Sequence, residues 1–298
     1  MKILFTGSNG LLGQKIAAAT TNYPEHTFLA TARGENRVQN LGTATYASMD
    51  ITDAENVASV VASFQPDVII HGAAMTHVDQ CEQNKELAYL LNVEGTQNIA
   101  DAAEQCGAHV VHISTDFIFD GEDGPYKEEA EANPLSYYGQ TKLMAEHIVA
   151  KLDHWSILRT VLVIGMAEDL SRSNIVLWAK GALEKGDPIN VVDDQFRTPT
   201  LAEDLAQGAL LAATQRAEGV FNISGPDFMS IYELVEAVAK HFGLSMDTVT
   251  KVSSTTLNQP AKRPPRTGFD ISKARRELGY QPHTFAEALN VIAAQAGL

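Results

Sequence analysis

Short apolar runs alternate with longer stretches of helical spacing through the first 165 residues. Runs such as Ile3-Leu4-Phe5, Phe28-Leu29-Ala30 and Val68-Ile69-Ile70 predict strands at 2–6, 27–31, 44–48, 67–71, 109–113 and 156–159. Between them, helices are expected at 11–20, 54–63, 85–105 and 137–151. Strand–helix alternation of this kind implies right-handed βαβ units and a mostly parallel, doubly wound α/β sheet. Beyond residue 165 the alternation loosens. Helices are expected at 175–184 and 202–214, strands at 189–192 and 219–223, and an amphipathic helix at 231–242. The sequence shows neither an internal repeat nor a low-complexity segment.

Composition narrows the function classes. The 298 residues suit one large α/β domain with an appendage, and 45% hydrophobic with 20% charged residues describe a soluble globule. With 37 acidic against 22 basic residues, a net charge of -15, neither a broad nucleic-acid surface nor an anionic-membrane surface is expected. A few local arginines or lysines still suffice to bind an anionic small molecule. Cys81 and Cys106 do not suggest a disulfide framework. His77, Asp79, Cys81 and Glu82 fit no structural zinc spacing, so no metal is expected, and Ser114 lacks the glycine elbow of a hydrolase. Met1-Lys2-Ile3-Leu4-Phe5 leads straight into a glycine loop, so no signal peptide is expected. No apolar stretch approaches the roughly 20 residues needed to span a bilayer, and the expected location is cytoplasmic.

The candidate chemistry begins in that loop, Thr6-Gly7-Ser8-Asn9-Gly10-Leu11-Leu12-Gly13. Its glycines permit a tight turn, close backbone approach to a pyrophosphate and close helix–strand packing, and the following helix offers free N–H groups. The strand–turn–helix context makes this a Rossmann-type dinucleotide site, although the spacing is G-x-x-G-x-x-G. After the second strand the chain reads Thr31-Ala32-Arg33, with Glu35 and Arg37 close behind. An arginine there suits the 2′-phosphate, favouring NADP(H) over NAD(H); a solvated loop residue is the bland alternative. Asp50-Ile51 is a weaker candidate for adenine contact. Tyr138 and Lys142 lie four apart on a helix, hence on one face. An ammonium there can stabilise a phenolate, and a hydroxyl from the turn Ser114-Thr115-Asp116 can orient the group that the phenol protonates.

These features, with His71-Gly72-Ala73-Ala74 and Asn92-Val93-x-Gly95-Thr96, resemble the extended short-chain dehydrogenase/reductase family. Within it, several stretches are similar to the dTDP-4-dehydrorhamnose reductases. They include Val78-Asp79-Gln80-Cys81-Glu82, Ser114-Thr115-Asp116-Phe117-Ile118-Phe119-Asp120-Gly121, Asp194-Gln195-Phe196 with Pro199-Thr200, and Arg263-Pro264. The resemblance implies a cofactor domain over 1–165 to which 200–222 returns, and a small α/β substrate domain from 166–199 and 223–298. It implies reduction of a 4-keto-6-deoxy nucleotide sugar, with Thr115 bonding the substrate oxygen, Tyr138 donating the proton, and Lys142 lowering the phenol pKa and holding the nicotinamide ribose. Ala73, Ala74 and Met75 would line the cofactor pocket. Asn92 would order backbone and water near the lysine, or make a helix-start hydrogen bond. Asp116 and Asn174 would contact substrate. Arg197 would meet the diphosphate or pair with Asp193 or Asp194, and Arg263 in the basic run 262–266 would close over phosphate or sit in an exposed loop. A homodimer is a further expectation of the family. Leu162 and Ile164 stand where these reductases carry Trp and Tyr, and the acidic segment 166–173 lacks their glycine-rich turn. Those departures open the question of substrate. A nucleotide-sugar epimerase or dehydratase with bound NAD, or a non-catalytic regulatory subunit, is the alternative reading.

Overall fold

Strand β1 (Lys2–Thr6) buries Ile3, Leu4 and Phe5 completely, so both of its faces need cover. In the computed structural model, which describes residues 1–168, 174–257 and 259–297, helices supply that cover on each side of a parallel sheet. Its other strands are β2 (Thr27–Ala32), β3 (Thr45–Ser48), β4 (Val68–His71), β5 (His109–Thr115), β6 (Trp155–Thr160) and Gly219–Asn222. The spatial order is Gly219–Asn222, β6, β5, β4, β1, β2, β3, so the winding reverses between β1 and β4. That reversal opens a crevice beyond the carboxyl ends of the strands, where a Rossmann-type sheet binds its ligand.

Alternation along each strand divides the core. Ile3, Phe5, Phe28 and Ile70 face one side and pack beneath α1 (Leu11–Ala19) and α8 (Ala202–Gln215). Leu4, Leu29, Ile69 and Val110 face the other, beneath α2 (Ala54–Phe64) and α5 (Gly95–Cys106). Helix α6 (Tyr137–Val149) packs on α5 and β5. The stretch expected to be one helix at 85–105 is instead α4 (Lys85–Tyr89), a π-helical turn at Leu90–Glu94, and α5. A single π turn shifts the helical face by about one residue, too small a change for patterning over a few turns to reveal. The short α3 (Val78–Gln83) is too brief to show a period and was likewise not expected.

A second core joins α7 (Ile175–Lys185), α9 (Ile231–Phe242) and α11 (Phe285–Gln295) around Val176, Leu183, Leu234, Val238 and Ile292. Helix α9 starts on a capping box between Ser230 and Glu233 and stops at Gly243, which adopts φ +65°. The expected assignment of all of 223–298 to a substrate domain needs correction. Phe269, Ile271, Ala274, Leu278 and Tyr280 pack into the first core, because α10 (Ser272–Leu278) lays its apolar face on α8 and the Gly219–Asn222 strand. Among the described residues no helix is long and apolar enough to cross a membrane.

Candidate active site

The loop from β1 into α1 is shaped by two close approaches. Gly7 has φ +76°, and a Cβ there would stand 3.0 Å from the Ala73 backbone nitrogen. A Cβ on Gly13 would collide with the Gly7 carbonyl. Gly10 offers no side-chain cap to α1, so the first amides of that helix face the crevice. The Asn9 side chain reaches sideways, donating to Glu35 O (3.0 Å) and accepting from Arg37 N (2.9 Å). It thereby pins the loop that carries the exposed Arg33 and Arg37. Tyr46 steadies the same loop by donating to Gly34 O at 2.6 Å. Asp50 accepts from the Thr52 amide and hydroxyl, and Ile51 is buried against Gly95.

Gly7, Asn9, Gly10, Gly13, Arg33, Arg37, Asp50 and Ile51 line one end of a continuous cleft of 740 Å³, together with Leu11, Leu12 and the stretch Ala73-Ala74-Met75. Thr115, Asp116, Tyr138 and Lys142 line its middle, and Leu162 and Asn174 its far end. Thr115 ends β5; its hydroxyl donates to Asp116 Oδ1 (3.1 Å), accepts from Phe117 N (3.2 Å) and meets the Tyr138 phenol. Ser136 caps α6 by accepting from Gly139 N, and a Cβ on Gly139 would strike the Phe117 carbonyl, so the helix start sits tight against the Thr115 turn.

Burial pushes the Tyr138 phenol above its ordinary pKa; the Thr115 hydrogen bond opposes this, and the charge of Asp116 adds to it. The expected lowering by Lys142 is therefore not found. The lysine turns away to His112 Nε2 (3.0 Å) and Ile113 O (2.7 Å). Burial brings Lys142 down to about 8, partly offset by Glu146 one turn along α6. Glu146 is fixed by Ser114 Oγ (2.5 Å) and by Arg159 through Nε (3.1 Å) and the terminal nitrogen (2.8 Å). Beneath lie two histidines opposite each other in register, His71 on β4 and His112 on β5. His71 joins Thr6 and Thr96 by its two nitrogens and is lowered to about 3 by burial and by Lys142. Sequence reasoning had no role for His112; its only signal was a second histidine two residues before the Ser114 turn.

Asn92 stands in the π-helical turn, behind the cleft wall. Its amide accepts from Met75 N (2.7 Å) and donates to Met75 O (3.1 Å) and Thr141 Oγ1 (3.0 Å). Met75 is thus tied to α6: Asn92 orders the Met75 backbone rather than capping a helix start.

The substrate candidates separate. Asp116 is buried, accepts from Thr267 Oγ1 (2.5 Å) and has Arg197 Nε at 3.6 Å. Burial raises its carboxyl pKa, with Arg197 opposing. Arg197 donates to the carbonyls of Phe196, Pro265 and Pro264 and is itself buried. The expected pairing with Asp193 or Asp194 is corrected: Asp194 accepts from Ser253 and Ser254, and the partner of Arg197 is Asp116. Arg263 forms a fork with Asp79, at 2.7 and 3.1 Å. Asn174 caps α7 and donates to Gly165 O (2.5 Å). Leu162 takes φ +38° at the cleft, whereas Ile164 is wholly buried in the second core. Residues 169–173 of the acidic segment lie outside the described residues.

Residues 1–297 match the family model described as RmlD substrate binding domain. A dTDP-4-dehydrorhamnose reductase of Aggregatibacter actinomycetemcomitans is 31% identical over 308 residues, covering 99% of each chain. Methionine adenosyltransferase 2 subunit beta of Xenopus tropicalis is 30% identical, covering 92% of this chain and 82% of that protein. Among solved structures, a dTDP-4-dehydrorhamnose reductase from Clostridium acetobutylicum superposes with a TM-score of 0.87 at 30% identity over the whole of both chains. Another from Bacillus anthracis, in complex with NADP, gives 0.83 at 27% identity over 99% of each chain. The chain belongs to the RmlD substrate-binding-domain family and carries its Rossmann-type fold.

Proposed function

We propose that the protein reduces a 4-keto-6-deoxy nucleotide sugar with NADPH, Tyr138 supplying the proton. The observation that carries this reading is the meeting of Thr115, Tyr138 and Lys142 in the same cleft as the glycine loop. The cradle fits a dinucleotide: Gly7 leaves room only for backbone, and the uncapped α1 start presents amides to a pyrophosphate. Arg33 and Arg37 favour a 2′-phosphate, in keeping with the NADP seen in the Bacillus anthracis relative. Bound there, the reduced cofactor supplies hydride.

The chain's own residues handle the oxygen. The Thr115 hydroxyl, released from Asp116, bonds the ketone oxygen and holds it beside the phenol. Tyr138 keeps its proton in the resting site, since burial raises its pKa, and yields it to an alkoxide as that develops. Lys142, at about 8, is mostly an ammonium at neutral pH; His112 and Ile113 hold it at the cleft, where it would hold the nicotinamide ribose. A dehydratase reading lacks support because Phe117, not a second acid, follows Asp116.

The test is incubation with NADPH and a panel of 4-keto nucleotide sugars while following loss of the reduced-cofactor absorbance. Turnover that disappears in Tyr138→Phe is expected. No turnover with any sugar, together with undiminished NADPH binding, would overturn the reductase and leave a binding subunit on the same scaffold.

A further inference from the structure

The polar group behind Lys142 is a histidine that the reaction scheme leaves unused. His112 is buried, its Nε2 lies 3.0 Å from Lys142 Nζ, and its Nδ1 has no partner among the described residues. An ammonium has three donors and no acceptor, so an imidazole nitrogen facing it must accept. The ring proton then sits on Nδ1, which is the atom left unpaired. A second positive charge 3.0 Å from the ammonium is excluded by repulsion, and burial with Lys142 holds the ring neutral. Buried donors are rarely left without a partner, and a leucine would fill the space without that cost. Packing alone thus does not account for His112. Asn92 cannot take its place, because both ends of its amide are committed to Met75 and Thr141.

We propose that His112 is a positioning residue for Lys142: as the neutral Nδ1–H tautomer it accepts one ammonium N–H, the Ile113 carbonyl accepts a second, and the third is left for the cleft. The proposal deepens the reductase reading and rests on it for its catalytic meaning. It gives Lys142 a fixed direction, because two of the three donors are anchored at the end of β5. It also gives the buried ammonium a second acceptor beside the Ile113 carbonyl. The other groups facing this pair are Glu146 from α6, Arg159 of β6 on the far side of Glu146, and His71 of β4; Thr96 of α5 is neutral. Glu146 favours the ammonium, while His71 is kept neutral.

A hydrogen bond to the charged form raises an amine pKa, so loss of the acceptor must lower it. The test uses the whole chain without substrate. Long-range proton–nitrogen spectra of the histidine rings at pH 6.5, below the Lys142 midpoint, are expected to show His112 protonated on Nδ1 alone. The carbon-13 titration of Lys142, assigned by its loss in Lys142→Arg, is expected to fall by about one pH unit in His112→Leu. It is expected to return most of the way in His112→Gln, whose amide oxygen restores an acceptor. With sugar and NADPH added, the alkaline limb of kcat/KM moves to lower pH by the same amount. A ring protonated on Nε2 at pH 6.5 overturns the proposal without recourse to any variant. A Lys142 midpoint unchanged in a folded His112→Leu protein overturns it too. Neither readout needs substrate, so absence of sugar turnover would count against the reductase reading alone.

Discussion

The two ends of the cleft are built in opposite ways. From the glycine loop to the middle of the cleft, several of the groups sit at the tips of strands or in the turn into the helix that follows. Thr6, His71 and Thr115 close β1, β4 and β5, and the glycine loop enters α1. Around the residues proposed for substrate, long-range pairs tie the segments together: Asp79 with Arg263, Asp116 with Thr267, and Arg197 with the carbonyls of Pro264 and Pro265. The first arrangement fixes geometry through backbone register. The second fixes it through charged side chains bonded to partners far away in sequence. The proposed catalytic groups are therefore anchored in the sheet, whereas the proposed substrate contacts sit on segments that meet only after folding.

Four substitutions would break or sharpen that contrast. The largest effect is expected in Tyr138→Phe, where loss of the proton donor lowers kcat/KM by roughly 10²–10⁴-fold while NADPH binding, followed by fluorescence titration, stays unchanged. Glu146→Leu strands Arg159 without its buried partner and should cost about 3–5 kcal/mol in urea unfolding. If that loss were below about 1 kcal/mol, the sheet end would not be the rigid one. Arg33→Asp replaces a guanidinium at the cofactor rim with a carboxylate and should reduce the NADPH-over-NADH preference by about 10–100-fold. An unchanged preference would leave Arg33 a solvated loop residue.

The smallest effect on stability is expected in Arg263→Ala. The Asp79–Arg263 fork is partly exposed, so it contributes about 1 kcal/mol or less. Its sign with pH is fixed. Arg263, through its hydrogen bond, holds the Asp79 carboxyl below its ordinary value, so the stabilisation is present above the unfolded pKa and is lost as pH falls through the folded one. Unfolding curves of wild type and variant should thus differ at pH 6 and converge as pH drops below about 4. The same variant should raise KM for the sugar nucleotide more than it lowers kcat. A KM left unchanged would remove Arg263 from the substrate end.

How far the sequence could be read follows the same division. All seven strands of the main sheet are legible in the sequence, and inner ones such as β1 and β4 show as apolar runs because a strand buried on both faces has no polar side to alternate with. The glycine loop and the Tyr138/Lys142 spacing are local, so a one-turn relation in sequence is a one-turn relation in space. The partners of Arg197 and Arg263 are not local. No spacing links residue 116 to 197 or 79 to 263, and the nearest acids in sequence, Asp193 and Asp194, are the wrong ones. The raised Tyr138 pKa escaped for another reason: the motif shows which charges accompany the phenol but not how deeply all of them are buried. His112 escaped because a buried histidine on an apolar strand looks the same whether it fills space or holds a lysine.

The return of residues 269–280 to the first core has a consequence for how the molecule melts and how it can be cut. The polypeptide leaves the sheet for the second core, comes back through α8 and the Gly219–Asn222 strand, leaves again for α9, and returns once more before ending in α11. Neither core is closed by a continuous length of chain. A truncation at residue 222 would not liberate a free-standing nucleotide domain; it would strip Phe269, Ile271 and Tyr280 from underneath α8. The two halves are laced like the sides of a shoe. Heat should undo them in one calorimetric step, and the substrate half cannot be exchanged for another as a cassette without cutting the lace.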